Sequence, residues 1–146
     1  MRIKTAAKGD LDALCAIEAE AFNEDSFALT RQNFLYHIAK NRLFICKIGN
    51  KTAGYILLLL RKNSKKARVY SIAVKKEFGS QGVGFALLEK SFTYAKSIDK
   101  KGIKLEVNIT NTRAIGLYEK SGFVKKGIIS NYYPNGADAM LMEKIF

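Results

Sequence analysis

Three closely spaced glycines, Gly79, Gly82 and Gly84, lie between two stretches of different periodicity. Residues 68–74 before them are β-branched and aromatic, which predicts a strand, and residues 83–97 after them have helical spacing. A glycine-rich turn from a strand into a helix exposes backbone N–H groups at the positive end of the helix dipole. Because glycine has no Cβ, an anion can approach that backbone closely. The turn therefore predicts a phosphate-binding site.

Two known phosphate-binding loops differ from this turn in their spacing. A P-loop ends in Gly-Lys-Ser/Thr, whereas here Gly84 is followed by Phe85. A dinucleotide fingerprint is G-x-G-x-x-G, whereas this turn is G-x-x-G-x-G. Glu106 supplies the acid that the fingerprint expects about 20 residues on, but little sequence follows for a doubly wound domain. Taken alone, the turn also fits an ordinary surface turn.

Two further side chains are of types that transfer protons. Glu106 alternates with apolar residues in a stretch that predicts a central strand, where a carboxylate is costly to bury. It fits a solvent-facing strand end, a partner of a neighbouring lysine, or a general base that acts directly or through water. Tyr118 has helical spacing to Ala114 and Leu117, and this pattern by itself indicates core packing.

Composition places the chain among globular proteins. With 146 residues and 48% hydrophobic content, we expect one domain, residues 1–146, with a full core. The longest apolar run, residues 55–60, is too short to span a bilayer, and no signal segment is recognised, so we expect a cytoplasmic protein with no membrane partner. Cys15 and Cys46 lack C-x-x-C spacing and are expected to be reduced. His37 is the single histidine, so no metal site is expected.

The net charge of +12 reflects two clusters of cations near predicted strands. Such a field attracts polyanions such as ribosomal RNA, or it keeps a protein in solution without any partner. Because no aromatic residues are interleaved with these cations, we expect no sequence-specific nucleic-acid partner. The first cluster is Arg61, Lys62, Lys65, Lys66 and Arg68, and the second is Lys100, Lys101 and Lys104.

Periodicity predicts an ordered series of strands and helices. Asp10 and Thr30 are suited to cap two amphipathic helices, and Gly49-Asn50 is typical of a hairpin turn. An early hairpin followed by a βαβ arrangement predicts an α/β domain, with a mixed sheet covered by helices. The predicted strands are residues 2–6, 43–48, 53–60, 68–74, 103–109, 123–129 and 139–145, and the predicted helices follow Asp10 and Thr30, span residues 83–97 and span residues 111–120.

Four motifs follow one another along the second half of the chain. They are Ile72-Ala-Val74, Gln81-Gly-Val-Gly-Phe-Ala-Leu-Leu88, Leu105-Glu-Val107 and Asn111-Thr-Arg-Ala-Ile-Gly-Leu-Tyr-Glu-Lys-Ser-Gly-Phe123. In this order they resemble the core of the GNAT superfamily of N-acetyltransferases, over residues 69–146 well and over residues 1–60 in outline. The segment Asn131-Tyr-Tyr-Pro134 is similar to bacterial ribosomal-protein alanine N-acetyltransferases and their eukaryotic relatives. This resemblance implies a mostly antiparallel central sheet with helices on both faces and one splayed parallel strand pair.

The resemblance also implies acetyl transfer from acetyl-CoA to a primary amine. In the family, the glycine turn holds the CoA pyrophosphate, and the tyrosine at the position of Tyr118 donates a proton to the departing thiolate. Glu106 matches the position of the family's proposed general base. Asn111 is expected to contact the CoA arm or to cap its helix. The residues expected to bind acetyl-CoA are Ile72, Ala73, Val74, Gly79, Ser80, Gln81, Gly82, Val83, Gly84, Asn111 and Tyr118.

The acceptor implied by the resemblance is a protein N-terminal α-amine, such as that of a ribosomal protein. The family relatives hold the acceptor with aromatic side chains at the positions of Tyr132 and Tyr133, and Phe27 lies in the acceptor-side loop. A small amine acceptor, such as a polyamine or an aminoglycoside, stays open, and so does a non-catalytic acyl-CoA-binding module. The acidic residues available for a small amine also fit a solvated helix face. They are Glu18, Glu20, Glu24 and Asp25.

Two places depart from the family pattern. Gly79 stands where glutamine or arginine is usual, which removes one side-chain contact to the pyrophosphate and leaves the backbone amides in place. The loop at residues 23–27 lacks the proline and tryptophan common in the ribosomal-protein enzymes, so the acceptor is less well defined than the donor.

Overall fold

The structure is a computed structural model that describes residues 1–22 and 28–146. The predicted elements occur in the predicted order, with ends that differ by one or two residues at most places. The strands are β1 (Arg2–Thr5), β2 (Leu43–Ile48), β3 (Lys51–Leu59), β4 (Lys66–Val74), β5 (Gly102–Asn108), β6 (Val124–Ile129) and β7 (Ala139–Ile145), and the helices are α1 (Leu11–Ala21), α2 (Arg31–Ala39), α3 (Val83–Ser97) and α4 (Thr112–Lys120).

All seven strands form one sheet in the order β1-β2-β3-β4-β5-β7-β6. The pair β4–β5 is parallel, and the other five neighbouring pairs are antiparallel. The parallel pair is joined by a crossover through α3, as a βαβ connection requires. The predicted fold class, a mostly antiparallel α/β sheet with one parallel pair, is therefore confirmed.

Helices cover both faces of the sheet and bury two separate cores. On one face, apolar residues of α1 and α2 pack on β2 and β3 around Phe34 and Tyr55, whose rings meet edge to face at 5.4 Å. On the other face, α3 packs along the strands, with Leu87 and Leu88 fully buried. Burial of such side chains is the main source of stability in a domain of this size. The sheet therefore has a separate apolar core on each face.

The two predicted helix caps have different outcomes. Thr30 caps α2 as predicted, because its hydroxyl accepts from the Asn33 N–H at 3.1 Å and the Asn33 side chain accepts from the Thr30 N–H at 3.0 Å. Asp10 does not cap α1 with its side chain. Its carboxylate instead accepts from the Ala7 N–H at 2.8 Å and lies 3.4 Å from the Lys4 ammonium. A short 3-10 turn before α1 makes this backward contact favourable.

The parallel strands β4 and β5 separate part of the way along. They are paired from Lys66 opposite Gly102 to Val69 opposite Leu105, and the pairing ends there although both strands continue. The register of β4 on β3 shifts at the same level, where Tyr70 is an extra residue in β4. The splayed parallel pair implied by the family resemblance is present, and it opens a gap in the middle of the sheet.

Among the described residues, no helix combines the length and the apolar character needed to cross a bilayer. The same residues contain no group of three or more metal-binding side chains arranged around one point. Both cysteines are free, with Cys46 buried and Cys15 half-buried.

Candidate active site

The gap between β4 and β5 exposes backbone hydrogen-bonding groups. The Lys75 N–H donates to the Ala53 carbonyl on β3 at 2.8 Å. Because successive N–H groups of a strand point to opposite sides, the amides of Ile72 and Val74 point away from β3 and into the gap. These groups lie where β5 no longer pairs with β4. They can bind an extended ligand that enters the gap as an additional strand would.

One side of the gap opens into a cleft of about 680 Å³, here called the glycine cleft. Its walls are the end of α1, the end of β4, the turn before α3, the start of α3 and one face of α4. Of the predicted ligand-binding residues, Ser80 and Gln81 are exposed in that turn without lining the cleft. The predicted residues that line it are Ile72, Ala73, Val74, Gly79, Gly82, Val83, Gly84, Asn111 and Tyr118.

The glycines of the turn serve different physical purposes. Gly82 is the N-cap of α3 with φ of +77°, a conformation that side chains other than glycine rarely adopt. Gly84 lies under α4, where a Cβ would come within 2.9 Å of the Leu117 side chain. The first amides of α3 have no partner inside the helix. The turn therefore presents N–H groups and the positive end of the helix dipole to the glycine cleft, which suits a phosphate group.

A cation from α4 lies on the same turn. The Arg113 guanidinium donates to the Gly79 carbonyl at 2.9 Å, and Arg113 lines the glycine cleft. Gly79 is the position where the family pattern has a longer polar side chain. The structure thus has a positive charge beside that position, although it comes from a different element.

The other side of the gap holds a smaller cavity of about 170 Å³, here called the aromatic cavity. It lies between β4, β5 and the loop that joins β6 to β7. Its volume is one quarter of that of the glycine cleft, and much of its wall is polar or aromatic. The residues that line it are Phe22, Arg68, Val69, Tyr70, Ser71, Ile72, Leu105, Glu106, Val107, Asn108, Asn111, Tyr118, Tyr132 and Tyr133.

Three polar side chains of the aromatic cavity are joined by hydrogen bonds. The Arg68 Nε–H donates to Glu106 Oε2 at 3.0 Å, and Arg68 Nη2 donates to the Tyr132 hydroxyl oxygen at 3.0 Å. Burial is the largest single influence on the pKa of Arg68 and lowers it, but Glu106 and Tyr132 together raise this pKa above its ordinary value. Glu106 therefore faces the cavity as one half of an ion pair, with a side chain only 14% exposed.

Tyr118 lies where the two spaces meet, because it lines both of them. It is 7% exposed and packs edge to face on Phe123 at 5.8 Å, so the core packing indicated by its helical spacing is also present. Burial raises the pKa of Tyr118 well above its ordinary value, with a smaller contribution from Tyr133 in the same direction. The phenol is therefore protonated throughout the neutral and mildly alkaline range.

Asn111 has the capping role that its sequence position predicts and also borders both spaces. Its side-chain oxygen accepts from the Ala114 N–H at 3.2 Å at the start of α4. Since Asn111 lines the glycine cleft and the aromatic cavity as well, the two predicted roles are compatible.

The predicted acceptor-side residues are only partly described. Tyr132 and Tyr133 both line the aromatic cavity, with ring centroids 5.0 Å apart and an interplanar angle of 81°. Burial and the neighbouring Tyr132 raise the pKa of Tyr133 to about 12. Phe27 lies outside the described residues, as do Glu24 and Asp25.

Sequence reasoning missed Arg68, Ser71 and Arg113 as residues of the site. From the sequence, Arg68 is grouped with a cluster of charged residues that needs no partner, whereas in the structure it lies inside β4 and lines the aromatic cavity. A signal for it was present, because Arg68 interrupts an apolar strand pattern between Ala67 and Val69 just as Glu106 interrupts that of β5. Two opposite charges at such positions on adjacent strands are typical of a buried pair.

Comparison with known proteins identifies the family. The model of the acetyltransferase (GNAT) family matches residues 11–123. An N-alpha-acetyltransferase of Sulfurisphaera tokodaii is 31% identical over 97% of this chain and 90% of that protein. An N-alpha-acetyltransferase of Saccharolobus solfataricus is 35% identical over 76% of this chain and 74% of that protein.

A solved structure supports the same grouping. The crystal structure of the ribosomal-protein-S18-alanine N-acetyltransferase from Escherichia coli superimposes with a TM-score of 0.85 at 30% sequence identity. The likeness covers 99% of this chain and 92% of that chain. It therefore extends over both faces of the sheet and both spaces of the site.

Proposed function

The chain belongs to the acetyltransferase (GNAT) family and is an acyltransferase, and from this premise we propose that it transfers an acetyl group from acetyl-CoA to the N-terminal α-amine of a protein, such as a ribosomal protein. The observation that carries the proposal is a gap in the sheet with the glycine cleft on one side and the aromatic cavity on the other. We propose further that residues 1–146 act as one catalytic domain, since one continuous sheet contains the first and the last strand.

The glycine cleft is suited to acetyl-CoA. The pyrophosphate would lie over the turn before α3, where amides and the helix dipole favour an anion, with Arg113 beside it. The pantetheine arm would run along the exposed edge of β4 and bond to Ile72 and Val74. The thioester would then lie in the gap, where a β4 amide can stabilise the oxyanion formed on attack.

Tyr118 is the residue that we propose assists departure of the CoA thiolate. Tyr118 lines both spaces, and the bond to sulfur would break where these spaces meet. A buried phenol with a raised pKa is a weak acid, whereas the thiol formed has a pKa of roughly 8.5. Tyr118 therefore acts as a hydrogen-bond donor that stabilises the developing charge on sulfur as the carbon–sulfur bond breaks.

Glu106 is the residue that we propose receives a proton from the amine, directly or through water. The carboxylate lies in the aromatic cavity and is oriented by Arg68. The hydrogen bond from the guanidinium uses part of the acceptor capacity of the carboxylate. A second proton acceptor at this cavity would offer another route, and the structure contains a candidate for it.

Proton energetics favour an α-amine over a lysine side chain as the acceptor. An α-amine with a pKa of roughly 7.7–8.0 is neutral in about one molecule in ten at pH 7, whereas a lysine at roughly 10.4 is almost fully protonated. Deprotonation at pH 7 therefore costs about 1 kcal/mol for the α-amine and about 4.6 kcal/mol for lysine. A single carboxylate paired with an arginine suits the easier task.

The two described acidic residues among those considered for a small cationic amine, Glu18 and Glu20, do not line the aromatic cavity. Glu20 lines the glycine cleft instead and accepts from the Lys76 N–H at 2.6 Å. Glu18 is buried and does not line the cavity. The Glu106 carboxylate on the cavity wall is already compensated by Arg68, which disfavours a polyamine or an aminoglycoside. An N-terminal peptide fits this wall better, because tyrosines can pack on its first residues.

A reacted peptide tests the acceptor. The protein is incubated with acetyl-CoA and a peptide that carries a free N-terminus and one internal lysine, and the acetylated position is read by tandem mass spectrometry. We expect the acetyl group on the α-amine. An acetyl group on the lysine alone, or turnover confined to polyamines and aminoglycosides, would reject the N-terminal acceptor. Bound acetyl-CoA that is stable in the presence of every amine tested would support the non-catalytic alternative.

A further inference from the structure

A buried carboxylate near the aromatic cavity has no part in the mechanism described so far. Glu18 on α1 is 3% exposed, so the expectation of a solvated helix face is wrong for this residue. Its carboxylate accepts hydrogen bonds from the Leu29 N–H and from the Tyr55 hydroxyl. Among residues 1–22 and 28–146, no lysine or arginine forms an ion pair with it. Burial is the largest influence on Glu18 and raises its pKa.

Two hydroxyl groups connect Glu18 with the aromatic cavity. Tyr55 on β3 is fully buried, and its hydroxyl oxygen lies 2.8 Å from the Ser71 hydroxyl on β4. Ser71 is half-buried and lines the cavity. The three groups thus form a continuous path from the cavity wall to the carboxylate.

When Glu18 is ionised, the direction of the hydrogen bonds along this path is fixed. Tyr55 has a single hydroxyl proton, which it donates to the Glu18 carboxylate. The bond between Tyr55 and Ser71 must therefore have Ser71 as its donor. Since Ser71 donates its own proton to the Tyr55 oxygen, the lone pairs of the Ser71 oxygen can accept a proton from a group in the cavity.

We propose that Ser71, Tyr55 and Glu18 form a proton relay that removes a proton from the acceptor ammonium group in the aromatic cavity. The relay rests on the proposed function, because it requires an amine acceptor at this place. It is a second route beside Glu106, and it ends on a buried carboxylate with which none of the described lysines and arginines forms an ion pair. Removal from water favours the neutral form of a carboxylate, so Glu18 can hold a proton.

Protons and charges balance along the relay. The ammonium gives one proton to the Ser71 oxygen, the Ser71 proton passes to Tyr55, and the Tyr55 proton passes to Glu18. The amine becomes neutral, with its lone pair free to attack the thioester carbonyl, and each hydroxyl has one proton as before. Glu18 becomes a neutral carboxylic acid. After the product leaves, water that enters the cavity takes the proton back by the reverse path.

The charged and titratable groups around the relay favour a concerted transfer. Burial raises the pKa of Tyr55 strongly, and Glu18 and Tyr70 act in the same direction, while the hydrogen bond from Ser71 acts against them. A free tyrosinate is therefore costly, and Tyr55 loses one proton only as it gains another. Across the cavity, the charged groups are Arg68 and Glu106, which neutralise each other in their ion pair.

Ser71→Ala is the variant that tests the relay most directly. It interrupts the path at the cavity wall and leaves the Tyr55–Glu18 hydrogen bond in place, so we expect the fold to be retained. For a peptide acceptor we expect kcat/KM to fall about tenfold to a hundredfold at about pH 6.5, where the α-amine arrives protonated. The difference from the wild-type value should nearly vanish at about pH 9.5, where the amine arrives neutral. The KM for acetyl-CoA should stay unchanged.

Glu18→Gln is the second variant, because it keeps the shape of the side chain but cannot take up a proton. It should lose activity at low pH in the same way, and if it fails to fold, Ser71→Ala decides alone. Ser91→Ala is the matched control, since the Ser91 hydroxyl is also buried and donates to the Leu88 carbonyl at 2.6 Å within α3. This control should have the wild-type pH profile.

The outcomes separate the relay from the proposed function. If Ser71→Ala keeps the wild-type pH profile with a peptide while Glu106→Gln loses activity at low pH, the relay is rejected and Glu106 is the proton acceptor. If Glu106→Gln keeps the profile and Ser71→Ala loses it, the relay is the main route. A wild-type protein that acetylates no peptide N-terminus at any pH rejects the proposed function, and the relay with it.

Discussion

The glycine cleft and the aromatic cavity offer different kinds of chemical groups to a ligand. The glycine cleft presents backbone: the amides of the turn before α3 and the edge of β4. The aromatic cavity presents side chains from separate parts of the chain, such as Arg68, Glu106 and Tyr132, which are joined by hydrogen bonds. A backbone site needs only the correct local conformation, whereas a side-chain site needs several elements in register. One half of the site is therefore local in sequence and the other half is not.

Tyr118 lies between the two halves, and its removal should have the largest effect. Tyr118→Phe keeps the ring in the core and loses one hydroxyl, so we expect kcat to fall about 10²–10⁴-fold with little change in acetyl-CoA affinity. Because burial raises its pKa, the hydroxyl stays protonated as the pH rises through the mildly alkaline range. Tyr118 should therefore cause no alkaline loss of rate there. Steady-state kinetics and calorimetry with acetyl-CoA measure both quantities, and equal losses in rate and affinity would contradict the assignment.

Arg68 tests the part of the site that is formed by side chains, the aromatic cavity. Arg68→Met removes two charge-assisted hydrogen bonds, and we expect kcat/KM for a peptide to fall about tenfold to a hundredfold while the KM for acetyl-CoA stays unchanged. Arg68→Lys should recover only part of the loss, because one ammonium cannot reproduce the two-pronged geometry of the guanidinium.

A matched cation on the same strand provides the control for Arg68. Lys66 also lies on β4 and forms an ion pair, with Glu143 at 2.9 Å, but it lines neither space of the site. Lys66→Met should leave the peptide kinetics unchanged. Similar losses in the two variants would mean that Arg68 acts only through stability.

The backbone half can be tested at Gly82. A valine there must adopt a φ that strains a β-branched residue, so the turn should change shape, and we expect acetyl-CoA to bind at least about tenfold more weakly. Gly49 in the β2–β3 turn is a matched control, because it also has a positive φ, of +62°, and an open environment. Gly49→Val should lower thermal stability without changing acetyl-CoA affinity. Calorimetric titration of both variants with acetyl-CoA measures the two affinities. Equal losses of affinity would mean that backbone strain alone causes the effect at Gly82.

The same difference explains what the sequence could and could not predict. The glycine turn, the capping role of Asn111 and the order of strands and helices follow from residue types a few positions apart, and the structure contains them. The pairing of Arg68 with Glu106 requires the parallel register of β4 and β5, in which Val69 stands opposite Leu105. No local pattern contains that register. The burial of Glu18 was likewise missed, because its partner Tyr55 lies 37 residues away on another element.

The smallest effect is expected at Gly79, and it tests whether the backbone of the turn is sufficient. Gly79 has φ of −66°, so its backbone does not require glycine. A Cβ there would lie 3.2 Å from the Lys76 carbonyl oxygen and 3.3 Å from the Arg113 guanidinium, which can shift slightly at the end of a flexible side chain. Gly79→Gln should therefore leave acetyl-CoA affinity unchanged or improve it by no more than about threefold, since the added amide gives at most one exposed hydrogen bond. The double variant with Arg113→Gln decides between two explanations. If glutamine at position 79 improves acetyl-CoA binding only in the protein that lacks Arg113, then Arg113 of α4 already supplies the polar contact that a longer side chain at position 79 would make.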